Sequence, residues 1–436
     1  SLELDACYGG NKPYFAWHIF LEGKADGSVR FSVTGKALKT FLTNRVGFCV
    51  LHPPGVAGQR CEIEHVDGSF TRGRFPATIS PHQPFLGLRA ITHSPAAGLR
   101  VHARMEGDTF ETEDQRNWTD ASFKTYSRPL ARPFPYPLRR GARVEQQIGV
   151  QLERTSHHKT ADLADEPCRL ALNSSGTVPL QIGLLRSQRT RLGAKPAALL
   201  RDAGVRHLRV DLDSCACLAE LEAAAADVRQ IGSHMGLEVA LHVGENRGGI
   251  EALARHVASR GFPFPIRWTI FDATMGVTTR AVFRDVIATW RRHGVPGTFG
   301  IGAANGFADF NRNHLMLPGA DFATYAINPQ VHAFDEASMM ETLEIQPLTV
   351  ATARKLGRGL PIAVSPVTLR PSSRGTSAPD SRFHTAFGAA WTAGSLVALT
   401  RARVTSVTYH ETTGVGGIVP DGRISLPPVY RVLRAF

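Results

Sequence analysis

Residues 207–243 read HLRVDLDSCACLAELEAAAADVRQIGSHMGLEVALHV and contain the pattern that decides the fold. Short apolar runs, HLRVDLD (207–213) and LEVALHV (237–243), stand at the two ends. Between them, CLAELEAAAADVRQIG (217–232) is amphipathic and ends at a glycine, as helices commonly do. A strand, a helix and a strand in this order predict a βαβ unit with parallel strands.

The same alternation continues through the second part of the chain. Apolar runs alternate with amphipathic segments, and eight such runs are present: VPLQIGLL (178–185), HLRVDLD (207–213), LEVALHV (237–243), PIRWTIFDA (265–273), GTFGIGAAN (297–305), FATYAINPQVH (322–332), PIAVSPVTL (361–369) and VTSVTYHET (404–412). This number predicts an α/β fold of the (β/α)8 TIM barrel type. An open doubly wound sheet usually carries G-x-G-x-x-G after its first strand, and QIGLLRSQRTRLGAKP (181–196) lacks that motif.

The first part of the chain has a different period. Residues alternate between apolar and polar in VRFSV (29–33) and LRVHARM (99–105), and Asp67-Gly68 has the composition of a hairpin turn. This pattern predicts an N-terminal antiparallel β-sandwich domain over 1–153. The polar stretch 154–176 is interpreted as a linker, and the barrel domain is predicted to span 177–436.

Composition narrows the function classes. The formal charge is +12, yet the sequence has no basic run with interleaved aromatic residues and no zinc-finger spacing, so we expect no nucleic-acid partner. No apolar run approaches the roughly 18 residues that span a bilayer, and six cysteines are too few for a disulfide scaffold of this length. These features predict a cytoplasmic protein with a small-molecule substrate and no membrane partner, and they leave a homo-oligomer open.

Polar residues follow most of the predicted barrel strands. Barrel enzymes of this fold have their active sites at the carboxyl ends of the strands. We therefore expect catalytic residues among Asn328, His332, His410 and Glu411. Substrate contacts are expected from His242, Asp272, Asn305 and Asp335. Asp272 is equally well explained as a cap of the next helix, and His242 as a buried histidine that binds no substrate.

Two other chemistries found in barrel enzymes require residues that this sequence offers only in part. Zinc-dependent hydrolases usually carry H-x-H after the first strand, where this chain has QIGLLRS (181–187), so a metal would require His242, His332 and His410 to converge. The expectation is chemistry without a metal or another cofactor. Retaining glycosidases need two carboxylates about 5 Å apart, and only Glu411 with Asp272 or Glu245 would offer such a pair.

The stretch FETEDQRNWTDASFKTY (110–126) mixes charges and aromatic rings without a helical or strand period. One interpretation is a loop that completes the substrate pocket, with the Trp118 ring facing a sugar, Lys124 facing a carboxylate, and Arg116, counted among the binding residues, pairing with the acids of the stretch. The alternative is a purely structural contact, because buried interfaces also favour Trp and Arg.

Four stretches carry a resemblance to a known family: NRVGFCVLHP (44–53), MEGDTFETEDQRNWTDASFKTY (105–126), YAINPQVHAFDEASMMETLE (325–344) and VTYHETTGVGG (407–417). Through them, and over most of its length, the chain resembles the D-apionate lactonase family. The resemblance implies hydrolysis of D-apionolactone to D-apionate in bacterial apiose catabolism. It also implies an N-terminal β domain, a central barrel and a C-terminal β domain, whereas this sequence ends at PVYRVLRAF (428–436).

The resemblance transfers no catalytic assignment, so the expected mechanism comes from the residues. Lactone hydrolysis needs an activated water, a stabilised oxyanion and a proton for the leaving ring oxygen. Glu411 is the expected base, His410 or His332 the expected acid, and Asn328 the expected oxyanion donor. The alternatives are a glycoside hydrolase with paired carboxylates and a non-catalytic sugar-acid binding protein.

Overall fold

The computed structural model describes residues 1–154, 180–187, 191–213, 218–245, 247–314, 316–370, 380–419 and 425–436. The chain divides into two units, Ser1–Gln115 with Ser122–Ser175, and Arg116–Ala121 with Gly176–Phe436. The predicted linker, 154–176, lies outside the described residues except for Arg154.

The first unit is an antiparallel β domain. Its strands are β1 (Leu2–Tyr8), β2 (Phe15–Gly23), β3 (Val29–Ala37), β4 (Phe41–Thr43), β5 (Cys49–His52), β6 (Arg60–His65), β7 (Phe70–Arg74), β8 (Phe85–Ala96), β9 (Leu99–Glu106), β10 (Phe110–Asp114), β11 (Phe123–Tyr126), β12 (Tyr136–Leu138) and β13 (Arg143–Arg154). Hydrogen bonds join eleven of them in one sheet, along the path β1-β2-β3-β13-β9-β8-β10-β11-β5 with β6 beside β8 and β7 beside β6. The short strands β4 and β12 pair separately.

Strands from opposite ends of this sheet share one apolar core. Phe123 of β11 and Ile148 of β13 are buried in it, and Val50 of β5 and Phe31 of β3 pack against it. The sheet therefore folds back on itself, and its two parts enclose the core as the layers of a sandwich do. The predicted antiparallel β domain is confirmed.

The predicted hairpin at Asp67-Gly68 is present between β6 and β7, which pair antiparallel. Gly68 adopts a positive φ of 85°, which glycine accepts without steric cost. The Asp67 carboxylate accepts hydrogen bonds from the Ser69 backbone N–H at 2.9 Å and from its hydroxyl at 2.7 Å. A local side-chain bond of this kind is the reason Asp favours turns.

The second unit contains a closed parallel barrel. The barrel strands are β14 (Gln181–Leu185), β15 (His207–Asp213), β16 (Gly236–Val243), β17 (Ile266–Asp272), β18 (Thr298–Ala303), β19 (Phe322–Ile327), β20 (Ile362–Val367) and β21 (Ser406–Thr413). They are hydrogen-bonded in sequence order, and β14 also pairs with β21, which closes the ring. A short strand, β22 (Gly417–Val419), lies beside β21. The predicted (β/α)8 barrel is confirmed.

The helices of this unit are α1 (Ala194–Asp202), α2 (Leu218–Ile231), α3 (Gly248–Arg260), α4 (Arg280–His293), α5 (Phe307–Asn313), α6 (Glu336–Leu356), α7 (Ala386–Arg401) and α8 (Pro428–Ala435). Helices α1 to α7 connect the barrel strands, and α8 follows β22. Local signals set their ends: the Thr279 hydroxyl caps α4 by accepting from the Val282 N–H, and Gly294 ends it with φ 66°. None of the helices in the described ranges is long and apolar enough to cross a bilayer.

Candidate active site

The barrel lumen contains a deep layer of charged and polar groups centred on Glu238 of β16. The Glu238 side chain is 1% exposed. It accepts hydrogen bonds from Arg267 Nη2 at 2.8 Å and from the Ser365 hydroxyl, and Arg209 Nη1 lies 3.5 Å away. Burial would raise the pKa of Glu238, but the neighbouring cations, Arg267 first, outweigh it and lower the pKa. Glu238 is therefore a paired, ionised group.

His207 of β15 completes the deep layer. Its Nε2 lies 2.9 Å from the Thr408 hydroxyl. Burial and the nearby Arg267 lower the pKa of His207 to about 3, so the ring is neutral at pH 7. The absence of a side chain at Gly183 of β14 leaves room for the His207 ring, because a Cβ there would lie 2.1 Å from His207 Nε2.

A second layer of the lumen lies nearer the carboxyl ends of the strands. Arg209 donates to both oxygens of Asp211, from Nε to Oδ2 at 3.1 Å and from Nη2 to Oδ1 at 2.9 Å. His242 Nε2 lies 3.1 Å from Asp211 Oδ1, and the Phe271 ring lies beside the imidazole with centroids 5.2 Å apart. Burial would raise the pKa of Asp211, but Arg209 and His242 outweigh it and lower the pKa. Asp211 is therefore an ionised acceptor.

A β-bulge in β21 determines where Glu411 lies. The pairing with β14 shifts from Leu184↔Tyr409 to Leu185↔Glu411, so His410 is the extra residue, and its φ is 30°. Tyr409 and His410 both contact α7, through Tyr409 Oη to Ser395 Oγ at 2.8 Å and His410 Nε2 to Thr392 Oγ1 at 3.2 Å. The bulge restores the alternation one residue later and places Glu411, which is exposed, on the other side from α7.

The structure places the predicted site residue His410 on the helix side of β21. The ring is 5% exposed, packs against Phe383 with centroids 4.3 Å apart and faces the helix layer. Burial lowers the pKa of His410 to about 3, so the ring is neutral at pH 7 and is not an imidazolium acid. The sequence position was correct as a strand end, but a bulge cannot be seen in the alternation and turned the side chain to the outside.

Part of the aromatic stretch belongs to the barrel unit. Residues Arg116–Ala121 are assigned to it, although β10 and β11 on either side of them belong to the first unit. Asp120 Oδ2 lies 2.6 Å from His332 Nδ1, and the rings of Trp118 and His332 meet edge to face at 5.2 Å. Arg312 covers the Trp118 ring at 5.1 Å. The structure thus brings two predicted site residues, Trp118 and His332, into contact.

Asn328 lies at the end of β19, close to the same segment. Its backbone carbonyl is 3.4 Å from the Thr119 hydroxyl, and its Oδ1 accepts from the Gln330 N–H at 3.3 Å. The second bond occupies the acceptor end of the amide, so the Nδ2 hydrogens remain the end that can donate to an oxyanion.

Other predicted binding residues have structural partners. Asp272 accepts from the backbone N–H groups of Thr274 and Met275 at 3.0 and 3.2 Å. Asp335 caps α6 by accepting from the Ser338 N–H at 2.9 Å. Asn305 donates to Asp309 at 3.0 Å. The capping alternative therefore accounts for Asp272, and Asp335 has the same explanation.

The two remaining predicted binding residues lie in different units. Lys124 is in the first unit, where its Nζ is 2.8 Å from Glu113 Oε1. Arg116 is in the barrel unit and is fully buried. Within the described ranges no three metal-ligating side chains lie together, and His410 faces α7 rather than His242 and His332.

Sequence reasoning missed the paired charges inside the barrel. Arg209 and Glu238 were not predicted as site residues. A signal was present in the sequence. In HLRVDLD and LEVALHV the charged and polar side chains all fall on one face of an otherwise apolar strand. Because the helices cover the outer face of a barrel strand, these side chains must lie on the luminal face.

The fold and site define a (β/α)8 barrel protein with polar groups at the strand ends, preceded by a β domain. The chain belongs to the D-apionate lactonase family: residues 1–155 match the family's N-terminal domain and 182–436 its TIM barrel domain. A D-apionate lactonase from Brucella anthropi is 33% identical over 383 residues, which cover 83% of this chain and 62% of that protein. The chain thus spans less than two thirds of that relative's length.

Solved structures with a similar fold have low sequence identity to this chain. A Ruminococcus gnavus β-glucuronidase is similar with a TM-score of 0.43 and 9% identity, over 96% of this chain and 67% of that one. A family 39 glycoside hydrolase from Bacteroides cellulosilyticus is similar with a TM-score of 0.41 and 10% identity, over 91% of this chain and 82% of that one.

Proposed function

We propose that this chain hydrolyses a sugar-acid lactone, with D-apionolactone as the substrate and D-apionate as the product. Family membership carries the proposal, and the 33% identical relative is itself a D-apionate lactonase. The proposed activity is that of a carboxylic-ester hydrolase in sugar catabolism, in the cytoplasm, with a small-molecule lactone as the partner. Its location is the carboxyl end of the barrel strands, where enzymes of this fold have their active sites.

The proposed reaction begins with attack of water on the lactone carbonyl. Glu411 accepts a proton from the water, whose oxygen bonds to the carbonyl carbon. The bulge at His410 supports this role, because it places the Glu411 carboxylate on the side away from α7, where it is exposed. The Asn328 amide donates to the oxyanion that forms.

The second half of the reaction breaks the ring. The acyl C–O bond breaks, and the ring oxygen leaves as an alkoxide that needs a proton. Of the two histidines expected to supply it, His410 faces α7, while His332 is paired with Asp120.

The test is acid release from a panel of aldonolactones that includes D-apionolactone, measured by pH-stat with and without a chelator. We expect turnover by the wild-type chain and a loss of about 100-fold or more in kcat for Glu411→Gln. Glu341→Gln replaces an exposed acid on α6 and is expected to retain full activity. Full activity in Glu411→Gln would remove Glu411 from the mechanism, and an absence of turnover with every lactone would reject the function.

A further inference from the structure

The two ring nitrogens of His242 have different surroundings. Nε2 lies 3.1 Å from Asp211 Oδ1. Nδ1 is buried and has no hydrogen-bond partner in the described part of the chain. Asp211 also accepts from Nε and Nη2 of Arg209, and an ionised carboxylate can only accept. His242 therefore donates from Nε2, and Nδ1 is the nitrogen that can gain or lose a proton.

A buried polar atom without a partner destabilises the fold, because it has lost its hydrogen bonds to water and gained none in exchange. His207 has an unpartnered Nδ1 as well, so this feature alone does not define a site. The two histidines differ in what contacts Nε2: for His207 the hydroxyl of Thr408 lies at 2.9 Å, the Glu238 carboxylate is further away at 3.6 Å, and the cations Arg267 and Arg209 are nearby. His242 Nε2 contacts the Asp211 carboxylate directly, so a second proton placed on the ring would lie beside an anion.

The charges around His242 do not oppose a second proton on its ring. Arg209 contacts Asp211 and lies 3.5 Å from Glu238, and Arg267 contacts Glu238. These two cations and two anions sum to zero, so a proton on His242 meets no net positive charge within this group. From the other side the ring faces Phe271 of β17, which carries no charge. The carboxylate of Asp211 is the acidic group in contact with the imidazole.

Asp211 and His242 lie in the part of the barrel where active-site residues are found in this fold. Asp211 and His242 lie near the carboxyl ends of neighbouring parallel strands, β15 and β16. The Asp211 side chain is 26% exposed, whereas that of Glu238 in the deep layer is 1% exposed. The pair therefore connects the buried charges with the end of the barrel where the substrate is expected.

We propose that His242 is the acid that protonates the leaving ring oxygen, with Asp211 and Arg209 as positioning residues. This inference rests on the proposed lactone hydrolysis. As the acyl C–O bond breaks, the proton on Nδ1 of the imidazolium passes to the ring oxygen, which becomes the new hydroxyl of the product. The imidazole is left neutral and regains a proton from solvent, while Glu411 returns to solvent the proton it took from water.

The experiment compares leaving groups. An aldonolactone expels an alkoxide, which needs an acid, whereas dihydrocoumarin expels a phenolate, whose conjugate acid has a pKa of about 10 and which leaves unaided. His242→Asn is expected to lower kcat about 100-fold on the aldonolactone and only a few-fold on dihydrocoumarin. Glu411→Gln is expected to lower kcat on both, because both need the base.

The pH profile provides a second measurement on the aldonolactone alone. The wild-type kcat should fall at alkaline pH as His242 loses its proton, and this limb should be absent in His242→Asn. Asp211→Asn should move the limb to lower pH, because the imidazolium loses its counter-charge. Asp213→Asn, an exposed residue on the same strand, should leave it in place.

His332→Asn is the competing variant. The inference is overturned if the leaving-group dependence and the alkaline limb disappear in His332→Asn and persist in His242→Asn. It is also overturned if His242→Asn loses activity equally on both substrates while its near-UV circular dichroism matches the wild type. In both cases wild-type turnover still supports the proposed function. Failure of the wild type on every lactone rejects the function itself and the inference with it.

Discussion

The two polar layers of the barrel lumen contain similar residues but differ in their exposure to solvent. In the deep layer Glu238 is enclosed by Arg267, Arg209 and Ser365, and its side chain is 1% exposed. Near the carboxyl ends of the strands Asp211 is held just as firmly by Arg209, but its side chain is 26% exposed. Among the described residues, Nδ1 of His242 beside Asp211 and Nδ1 of His207 in the deep layer both lack a hydrogen-bond partner, so exposure rather than pairing distinguishes the two layers. Burial makes the first layer structural, whereas partial exposure leaves the second open to chemistry.

The largest expected effect tests the deep layer. Glu238→Gln removes the carboxylate from the buried guanidinium group of Arg209 and the partly buried one of Arg267, so we expect a loss of about 3–5 kcal/mol in the free energy of unfolding, measured by urea denaturation. Glu251→Gln is the control, because the Glu251 side chain is 38% exposed beside His293 and exposed pairs of this kind contribute little to stability. Equal small losses in both variants would show that the deep layer is not a structural cluster.

The next effect tests the layer near the strand ends and depends on pH. Arg209 and His242 lower the pKa of Asp211, so its stabilisation is present above the ordinary Asp pKa of about 3.9 and is lost as the pH falls. Asp211→Asn should therefore reduce stability by about 2 kcal/mol at pH 7, with a difference from wild type that narrows below about pH 4. A difference that stays constant from pH 7 to pH 3 would contradict this origin of the lowered pKa.

A third prediction concerns the space beside the deep layer. Gly183→Ala would place a Cβ 2.1 Å from His207 Nε2, so the ring must move from Thr408, at a cost of about 1–2 kcal/mol. Gly149→Ala lies in β13, where a Cβ meets nothing within 4 Å, and should change stability by less than about 0.5 kcal/mol. Thermal denaturation of both variants makes the comparison, and equal midpoints would mean that His207 is not fixed.

The smallest expected effect is at Trp118. Its ring is engaged by Arg312 and His332, so we expect Trp118→Ala to lower the free energy of unfolding by about 0.5–1 kcal/mol. We also expect kcat/KM for the lactone to change less than about threefold, while Trp118→Phe retains most of the stability. A large rise in KM at unchanged stability would instead favour the interpretation that Trp118 forms part of the pocket.

Local patterns predicted the barrel strands well. Run 207–213 coincides with β15, and 237–243 differs from β16 by one residue. The run 322–332 was too long, because β19 ends at Ile327, before Asn328 and Pro329. Proline has no backbone N–H to donate to the next strand, so its presence was the signal to shorten the run.

The site was harder to predict than the fold. Strand-end polarity singled out Asp272 and Asp335 as candidate binding residues, and in the structure both carboxylates bond to backbone N–H groups within three residues. Capping and binding use the same residue types at the same positions, so the sequence left the two roles open for Asp272. Arg209 was missed because its partners Ser365 and Glu238 are distant in the sequence.

The sequence by itself determined the antiparallel β domain, the eight barrel strands and their helices. These follow from the period with which apolar residues recur, which is a local property of the chain. Only the tertiary structure decided which luminal charges pair, that a bulge turns His410 outward and Glu411 away from α7, and that residues 116–121 join the barrel unit. Each of these depends on groups far apart in the sequence, whose pairing free energy exists only once the barrel closes.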